Sequence, residues 1–283
     1  MNATQKAIKY MATAFAVLLA VTILGSIVGA GAAVLNAVAD GGDGGERRNF
    51  NSEYLDIDNI EVDGGVYNIT ICKGDALRVE MQNVSEKYEA RVSGRTLKLE
   101  SRGSWFNWNW DWFGLGSSDS SQGNIILYLP DDFKTEEFII DGGAGDISIQ
   151  DLNTSYLEID AGMGDINGGT VIADKVKING AMGDLTLEDV RFGKSELDGG
   201  AGSVSLEGSI RGDVKIDGGV GDIYLKLDGS TDDYNIKVDS GLGDVKINGE
   251  KHSDTKWNND TADYDMDIDG GVGEVDIDFR NAF

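Results

Sequence analysis

The chain of 283 residues carries 50 Asp and Glu against 24 Lys and Arg, a net charge of -26, with 40 Gly and one Pro. That charge excludes nucleic acid as a partner, because binding to a phosphate backbone is driven by Lys and Arg that displace counterions. One Cys and one His exclude an internal disulfide and the usual four-ligand zinc site, and they make Ser-His-Asp or Cys-His catalysis dependent on His252.

The first element is an apolar segment near the amino terminus. Between Tyr10 and Ala39 no side chain is ionisable except that of Tyr10, and the centre is almost entirely apolar. A membrane-spanning helix needs about 20 apolar residues, whereas the apolar part of a signal peptide is about 7–15 residues long. The length predicts a transmembrane helix over residues 11–36, with the lipid bilayer as its partner. Cleavage after the small residues 37–39 is the alternative.

The charges that flank this helix set its predicted orientation. Lys6 and Lys9 precede it closely, whereas Arg47 and Arg48 follow at a greater distance. By the positive-inside rule the nearer lysines favour a cytoplasmic location for residues 1–10. The sequence therefore predicts a single-pass protein of the cell membrane with its carboxy-terminal domain outside the cytoplasm.

A glycine-rich stretch links the predicted helix to the rest of the chain. Residues 37–51 include Gly-Gly-Asp-Gly-Gly, a composition typical of a flexible tether. Residues 52–283 follow as an extracytoplasmic β-repeat domain, which is strongly acidic. The acidity is typical of a solvated surface, and adaptation to salt would produce the same excess. Composition gives no prediction of oligomeric state.

Four of the five tryptophans cluster in one short segment, within a predicted insertion over residues 103–123. In an extended strand the alternate aromatic residues share one face, and each ring can bury about 150–250 Å². The segment is interpreted either as a binding surface for sugars, membrane or a partner, or as a cap for one end of the domain. The candidate ligand-binding residues are Trp105, Phe106, Trp108, Trp110 and Trp112.

An internal repeat of 19 residues dominates the remainder. Each copy has an apolar residue five positions before a glycine, an Asp or Asn four positions before it, an acid or Ser one position after it and an apolar residue two positions after it. Four successive spacings are 19, followed by 22 and 30. A decayed copy over residues 60–71 has Tyr67 in place of the glycine. The repeat glycines are Gly145, Gly164, Gly183, Gly202, Gly221, Gly243 and Gly273.

The apolar positions within a copy alternate with period two, which predicts strands. The alternation changes phase at the glycine, so we expect a bulge or bend there whose glycine adopts positive φ. The residue directly before the glycine is always apolar, and we interpret it as inward-facing. The spacings of 22 and 30 are interpreted as loops, the second of which contains residues 250–260.

Units that cannot bury an apolar face alone must stack on one another. The constant spacing predicts an all-β fold, a β-solenoid of 19-residue coils with strands about 4.8 Å apart, and almost no helix beyond the anchor. Antiparallel hairpins in a sandwich are the alternative. The strand near Asp276–Arg280 is expected to be an exposed edge that its charges protect from pairing.

Stacked coils would place the repeated acids in columns with like charges about 5 Å apart, which costs on the order of 1 kcal/mol per neighbour in water. Hydrogen bonds from turn N–H groups are the expected compensation. Calcium is the alternative, but the calcium-binding nonapeptide has its Asp two residues after the last Gly and a period of nine. We therefore predict no metal site and no cofactor.

The chain resembles the bacterial β-strand-repeat proteins classified as putative adhesins. Three features carry the resemblance: the Asp-Gly-Gly-x-Gly-Asp-Ile units, the strand Ile125–Pro130 ahead of them, and the single amino-terminal membrane segment. The resemblance covers about residues 52–279 and implies a cell-surface β-solenoid. It supplies neither a ligand nor a set of functional residues.

The sequence thus predicts a membrane-anchored, surface-exposed and non-catalytic protein with an adhesin-like or scaffolding role. Its expected partner is a cell-surface glycan or an envelope protein. A regulatory membrane protein that senses envelope state through a partner is one alternative. A solenoid polysaccharide hydrolase or lyase is another, although acids are so abundant that paired carboxylates indicate nothing specific.

Overall fold

The computed structural model describes residues 46–102, 123–239, 241–252 and 255–280, which form an all-β domain as predicted. The predicted helix 11–36 and the tryptophan segment lie outside these ranges. No helix within them is long and apolar enough to cross a membrane. The first strand begins at Arg47, inside the segment predicted as a tether.

Within the described residues, strands account for nearly all of the regular structure, and the one helical element there is a 3₁₀ turn at Thr231–Asp233. In chain order the strands are β1 Arg47–Glu53, β2 Asn59–Asp63, β3 Asn68–Lys73, β4 Arg78–Ser85, β5 Tyr88–Ser93, β6 Thr96–Ser101, β7 Asn124–Leu129, β8 Thr135–Asp141, β9 Ile147–Met163, β10 Ile166–Met182, β11 Leu185–Asp198, β12 Val204–Ile210, β13 Val214–Asp217, β14 Ile223–Asp228, β15 Tyr234–Asp239, β16 Val245–Ile247, β17 Glu250–His252, β18 Thr255–Trp257, β19 Tyr264–Asp269 and β20 Val275–Arg280.

The repeat of 19 residues sets the register in which strands pair. Strand β10 lies parallel to β9 and to β11, so that Ile166 is paired with both Ile147 and Leu185. Each of these residues is therefore paired in register with the residue 19 positions away, as coil stacking requires. The predicted stacking of coils is observed in the described residues, and the sandwich alternative is not.

Each regular coil has three short sides. In the coil that begins at Ile147, the buried residues come in pairs separated by outward-turning corners. The apolar alternation around the glycine indicates the first and last pairs, but not the middle pair, which contains Thr154. The pairs are Ile147 with Ile149, Leu152 with Thr154, and Leu157 with Ile159.

These inward side chains form one continuous apolar core along the stack. Core residues such as Ile69, Leu127 and Ile178 are fully buried. Burial of a Val, Leu or Ile side chain stabilises a fold by about 1.5–3 kcal/mol, so the stacked columns supply the main driving force for folding. The hydroxyl of Thr154 is satisfied within this core by donating to the carbonyl oxygen of Tyr156 at 2.9 Å.

The order of coils along the stack differs from their order in the chain. The coil made by β2 and β3 lies between the β6–β7 coil and the β8–β9 coil. Likewise β19 and β20 lie between the β13–β14 coil and the β15–β16 coil. The spacings of 22 and 30 residues arise because the chain passes outward and then returns to an inner position.

Two predictions for this end of the domain are therefore wrong. Strand β20 is not an exposed edge, because it pairs with β14 on one side and with β16 on the other. Residues 250–260 are not simply a loop, because β17 and β18 pair antiparallel with β16 and β15 and cover the outermost coil. Both covering strands have three residues, and short edge strands are poor templates for further pairing.

Candidate functional site: the glycine corner

The repeat motif forms one corner of each regular coil, which we call the glycine corner. It extends from the acid four residues before the repeat glycine to the acid one residue after it, as in Asp141–Asp146. These corners lie directly on one another, so each motif position becomes a column along the stack. The columns are the most regular surface feature of the described residues.

Glycine is required in the central column because neighbouring coils approach too closely for any side chain. A Cβ atom added to Gly183 would lie 2.1 Å from the carbonyl oxygen of Gly164, and one added to Gly221 would lie 2.0 Å from that of Gly202. The predicted positive φ is observed at five of the seven repeat glycines, for example at +135° for Gly164 and +137° for Gly183, but not at Gly145 or Gly243. L side chains rarely adopt this conformation.

A second position that requires glycine lies two residues before the repeat glycine, and it was not predicted. Gly143, Gly200 and Gly219 adopt the left-handed conformation with φ near +60°. The carbonyl oxygens of these glycines accept hydrogen bonds from the next coil, for example from the N–H of Met163 to Gly143 at 2.8 Å. The doubled glycine in the sequence was the available signal for this turn.

The acid after each glycine bonds to the following coil. Asp146, Asp165 and Asp184 each accept, through Oδ1, the backbone N–H of the residue 19 positions later, at 2.8–3.1 Å. These hydrogen bonds confirm the compensation expected for the repeated acids, with the donor on the neighbouring coil. We call this set the second acid column. Its members are Asp146, Asp165, Asp184, Ser203, Asp222, Glu274 and Asp244.

The acid four residues before each glycine bonds within its own turn. Asp198 and Asp217 each accept the backbone N–H of the residue two positions later, at 3.0 and 3.2 Å. This is the hydrogen bond by which Asp favours turns. We call this set the first acid column. Its members are Asp63, Asp141, Asp160, Asn179, Asp198, Asp217, Asp269 and Asp239.

Like-charge repulsion acts where acids of the first column are consecutive, as in the run that begins at Asp63. Asp63 pairs in register with Asp141, which pairs with Asp160. Burial and the neighbouring carboxylate of Asp141 raise the pKa of Asp63 above its ordinary value. Burial chiefly, with the charge of Asp160, raises the pKa of Asp141 as well. The amide of Asn179 relieves the column by donating to Asp160.

The residue directly before each glycine does not face the core, contrary to the sequence interpretation. None of these apolar side chains belongs to the buried core, and Val272 and Leu242 are 39% and 47% exposed. Where the second glycine is left-handed, as at Gly143, Gly200 and Gly219, the phase changes there, two residues before the repeat glycine. We call the column the corner ridge. Its members in stack order are Val66, Ala144, Met163, Met182, Ala201, Val220, Val272 and Leu242.

Most lysines of the stack pair with acids of the neighbouring coil on other faces. Lys177 contacts Glu158 at 2.6 Å, and Lys226 contacts Glu207 at 3.2 Å. Lys177 lowers the pKa of Glu158 by hydrogen bonding and by its charge. Exposed pairs of this kind contribute about 0–1 kcal/mol each, so they set the surface pattern more than the stability.

The single His and the single Cys of the sequence lie apart from the glycine corner. His252 is half-buried on β17 with its ring centroid 6.1 Å from that of Trp257, rather than on a polar loop. Cys72 is half-buried on β3, where burial raises the pKa of its thiol. The described ranges contain no cluster of three or more His, Cys, Asp or Glu placed to hold a metal ion.

A shallow cleft on another face lies beside Gly168 and Gly169, with Asn167 and Glu188 among its lining residues. The inward position of Gly168 is occupied by the side chain of Leu187, whose Cδ2 lies 2.4 Å from where a Cβ would be. The cleft therefore forms where Gly168 contributes no side chain and Leu187 of the neighbouring coil fills the inward position instead.

A family model and several solved structures are similar to the chain. A model of the Toastrack DUF4097 family matches residues 57–276. No curated protein matches the chain. The chain is similar to a solved structure named a putative adhesin from Bacteroides fragilis, with 17% identity, TM-score 0.40 and coverage of 82% of this chain and 96% of that one.

Two further solved structures are similar at the same level. One is named a putative lipid binding protein from Parabacteroides distasonis, with 13% identity, TM-score 0.42 and coverage of 83% of this chain and 98% of that one. The other is named a putative cell adhesion protein from Clostridium sporogenes, with 13% identity, TM-score 0.35 and coverage of 83% and 100%.

Proposed function

The chain belongs to the Toastrack DUF4097 family, and from that premise we propose that it is a non-catalytic surface protein, anchored in the cell membrane, with an adhesin-like or scaffolding role. Its stacked domain would be presented outside the membrane by the amino-terminal helix predicted over residues 11–36. The ligand expected for such a role is a glycan or protein of a cell surface.

The observation that carries this proposal is the repetition of the outer surface. Parallel stacking places equivalent positions of successive coils about 4.8 Å apart, and at the glycine corner these positions carry the same kind of group in most coils. A surface of this kind suits many weak contacts with a repetitive partner, because avidity multiplies individually weak contacts. The single continuous core makes the domain a rigid spacer on which such contacts are held in line.

The aromatic segment is the proposed adhesive element. Its side chains would present aromatic faces on which sugar rings can stack. The residues concerned are Trp105, Phe106, Trp108, Trp110 and Trp112. In the sequence these residues lie between β6 and β7.

The test is attachment by cells that express the full-length chain or a variant in which residues 104–113 are replaced by a Gly-Ser linker of equal length. Trp257→Ser is the matched control, because Trp257 is 45% exposed on β18. We expect the linker variant to lose attachment to glycan-coated surfaces at unchanged surface display, and the control to retain it. Attachment by the linker variant at the level of the unmodified chain would contradict the proposal.

The same strains separate the alternative functions. Unchanged attachment together with altered expression of envelope-stress genes would favour the regulatory role. New reducing or unsaturated ends after incubation of polysaccharides with the full-length chain would favour the hydrolase or lyase.

A further inference from the structure

The corner ridge is an apolar surface that the fold itself does not use. All eight of its members are Ala, Val, Met or Leu, although none belongs to the buried core: three are exposed and five are half-buried. Isolated exposed apolar residues need no explanation, but a contiguous apolar stripe is typical of an interaction site. The ridge spans about 34 Å if neighbouring coils are about 4.8 Å apart.

The backbone holds the ridge rigidly and leaves it open. The N–H groups of Ala144, Met163 and Val220 donate to glycine carbonyl oxygens of the adjacent coil at 2.7, 2.8 and 2.9 Å. Glycines on both sides of most ridge residues carry no side chain, so the ridge stands above two shallow strips of backbone. A partner can therefore approach the ridge closely without displacing protein side chains.

Acids line the ridge on both sides. The first acid column follows one flank and the second acid column follows the other, at a distance of two to three residues along each coil. In the part of the chain that the structure describes, the Lys and Arg side chains form no ion pair with Asp165, Asp184 or Asp198. Two lysines, Lys246 and Lys251, neutralise acids only at one end of the second column.

We propose that the corner ridge binds a cationic amphipathic α-helix of a partner protein. The apolar face of the helix would cover Met163, Met182, Ala201 and Val220, and Lys or Arg on either side of that face would meet the two acid columns. The proposal concerns a different surface from the aromatic segment and does not depend on an adhesive role.

Three physical arguments select this partner. The turn-to-turn distance of a helix, 5.4 Å, is close to the coil spacing of about 4.8 Å, so side chains stay in step over about four coils. Met163 and Met182 are neighbours in the ridge, and the flexible thioether adapts to varied apolar partners. The acid columns would repel an anionic membrane surface, and they attract cations on both flanks.

The test measures the affinity of the full-length chain, held in neutral-detergent micelles, for a fluorescent 18-residue helix of Leu and Lys with all Leu on one face. The control peptide has the same composition with Leu distributed around the helix. We expect the amphipathic peptide to bind at least tenfold more tightly. Equal affinity for the two peptides would overturn the proposal, because it would show attraction by charge alone.

Two pairs of variants locate the site. Met163→Ser with Met182→Ser should weaken binding of the amphipathic peptide at least tenfold. Asp198→Asn with Asp217→Asn should weaken it about fivefold, and this pair preserves the fold because Asn accepts the same turn hydrogen bond and occupies the column naturally at position 179.

The matched control for the charge variants is Asp174→Asn with Asp189→Asn, which removes the same charge from exposed positions away from the glycine corner. We expect this control to change the affinity less than twofold. An equal loss in the control, or unchanged affinity in the Asp198 and Asp217 pair, would overturn the proposed site.

Discussion

Substitution of one repeat glycine tests how closely the coils approach. In Gly183→Ala the new methyl group would lie 2.1 Å from the carbonyl oxygen of Gly164 and 2.6 Å from its carbonyl carbon. Real Cβ atoms do not approach closer than about 3 Å, so one backbone segment must move by roughly 1 Å. Both segments are held by inter-coil hydrogen bonds, from Gly164 to Met182 and from Gly183 to Ala201.

The expected cost combines overpacking, about 1–3 kcal/mol, with the strain of Ala at φ +137°, about 1–3 kcal/mol. A total near 3 kcal/mol corresponds to a fall in Tm of roughly 6–12 °C for a domain of this size. The assay is thermal unfolding followed by far-ultraviolet circular dichroism on the purified full-length chain.

Gly94→Ala is the matched control for conformational strain. Gly94 has φ +64° in the β5–β6 turn, and a Cβ atom there would meet nothing within 4 Å. We expect it to cost about 1 kcal/mol, a fall in Tm of about 2–4 °C. A Tm for Gly183→Ala equal to that of Gly94→Ala would refute the close approach of coils.

Three further predictions concern the acid columns. Asp165→Ala should destabilise the domain by about 1 kcal/mol in thermal or urea unfolding, because it removes the acceptor for the N–H of Asp184. Asp165→Asn keeps an acceptor oxygen and should be nearly neutral. Equal losses of stability in the two variants would contradict the assigned hydrogen bond. The pKa of Asp63 is raised in the folded state, so the charged form of this side chain disfavours folding. The variant Asp63→Asn should therefore be more stable than the unmodified chain at pH 7. The difference in unfolding free energy should disappear as pH falls towards 3.8, because the carboxyl group is then protonated in the folded state. A difference that grows on acidification would have the wrong sign. Removal of divalent metals with EDTA should shift Tm by less than about 2 °C, because backbone N–H groups compensate the second acid column; a large fall reversed by calcium alone would show that a metal supplies this compensation.

The regular part of the fold could be predicted because one physical requirement recurs at a fixed interval. Apolar alternation on both sides of Gly164 and Gly183, broken at the glycine, indicates a stacked coil with a bend. The middle side of the coil was missed because its inward residues vary, with Thr154, Ala173 and Phe192 at equivalent positions. A buried Thr in one coil and Phe in another produce no common pattern.

The order of coils at the ends could not be read from the repeat. Pairing of β20 with both β14 and β16 depends on which strand the returning chain meets, and the local patterns of all three are alike. The direction of the corner ridge was misjudged for a related reason. An apolar residue between two glycines has the same appearance whether it faces the core or solvent, and the left-handed turn at Gly143 decides between them.

Disulfide formation between paired cysteines tests the stacked, reordered coils most directly. Both double variants are made in a Cys72→Ser background. The first, Tyr224→Cys with Asp276→Cys, places the two thiols on directly paired positions of β14 and β20. The second, Tyr224→Cys with Lys246→Cys, places them on β14 and β16, which are separated by β20. Paired positions lie within the Cα separation that a disulfide spans, about 4.4–6.8 Å, and the second pair does not. We predict rapid oxidation of the first pair and none of the second. A disulfide in the second pair alone would show that coils stack in chain order and would contradict the architecture described here.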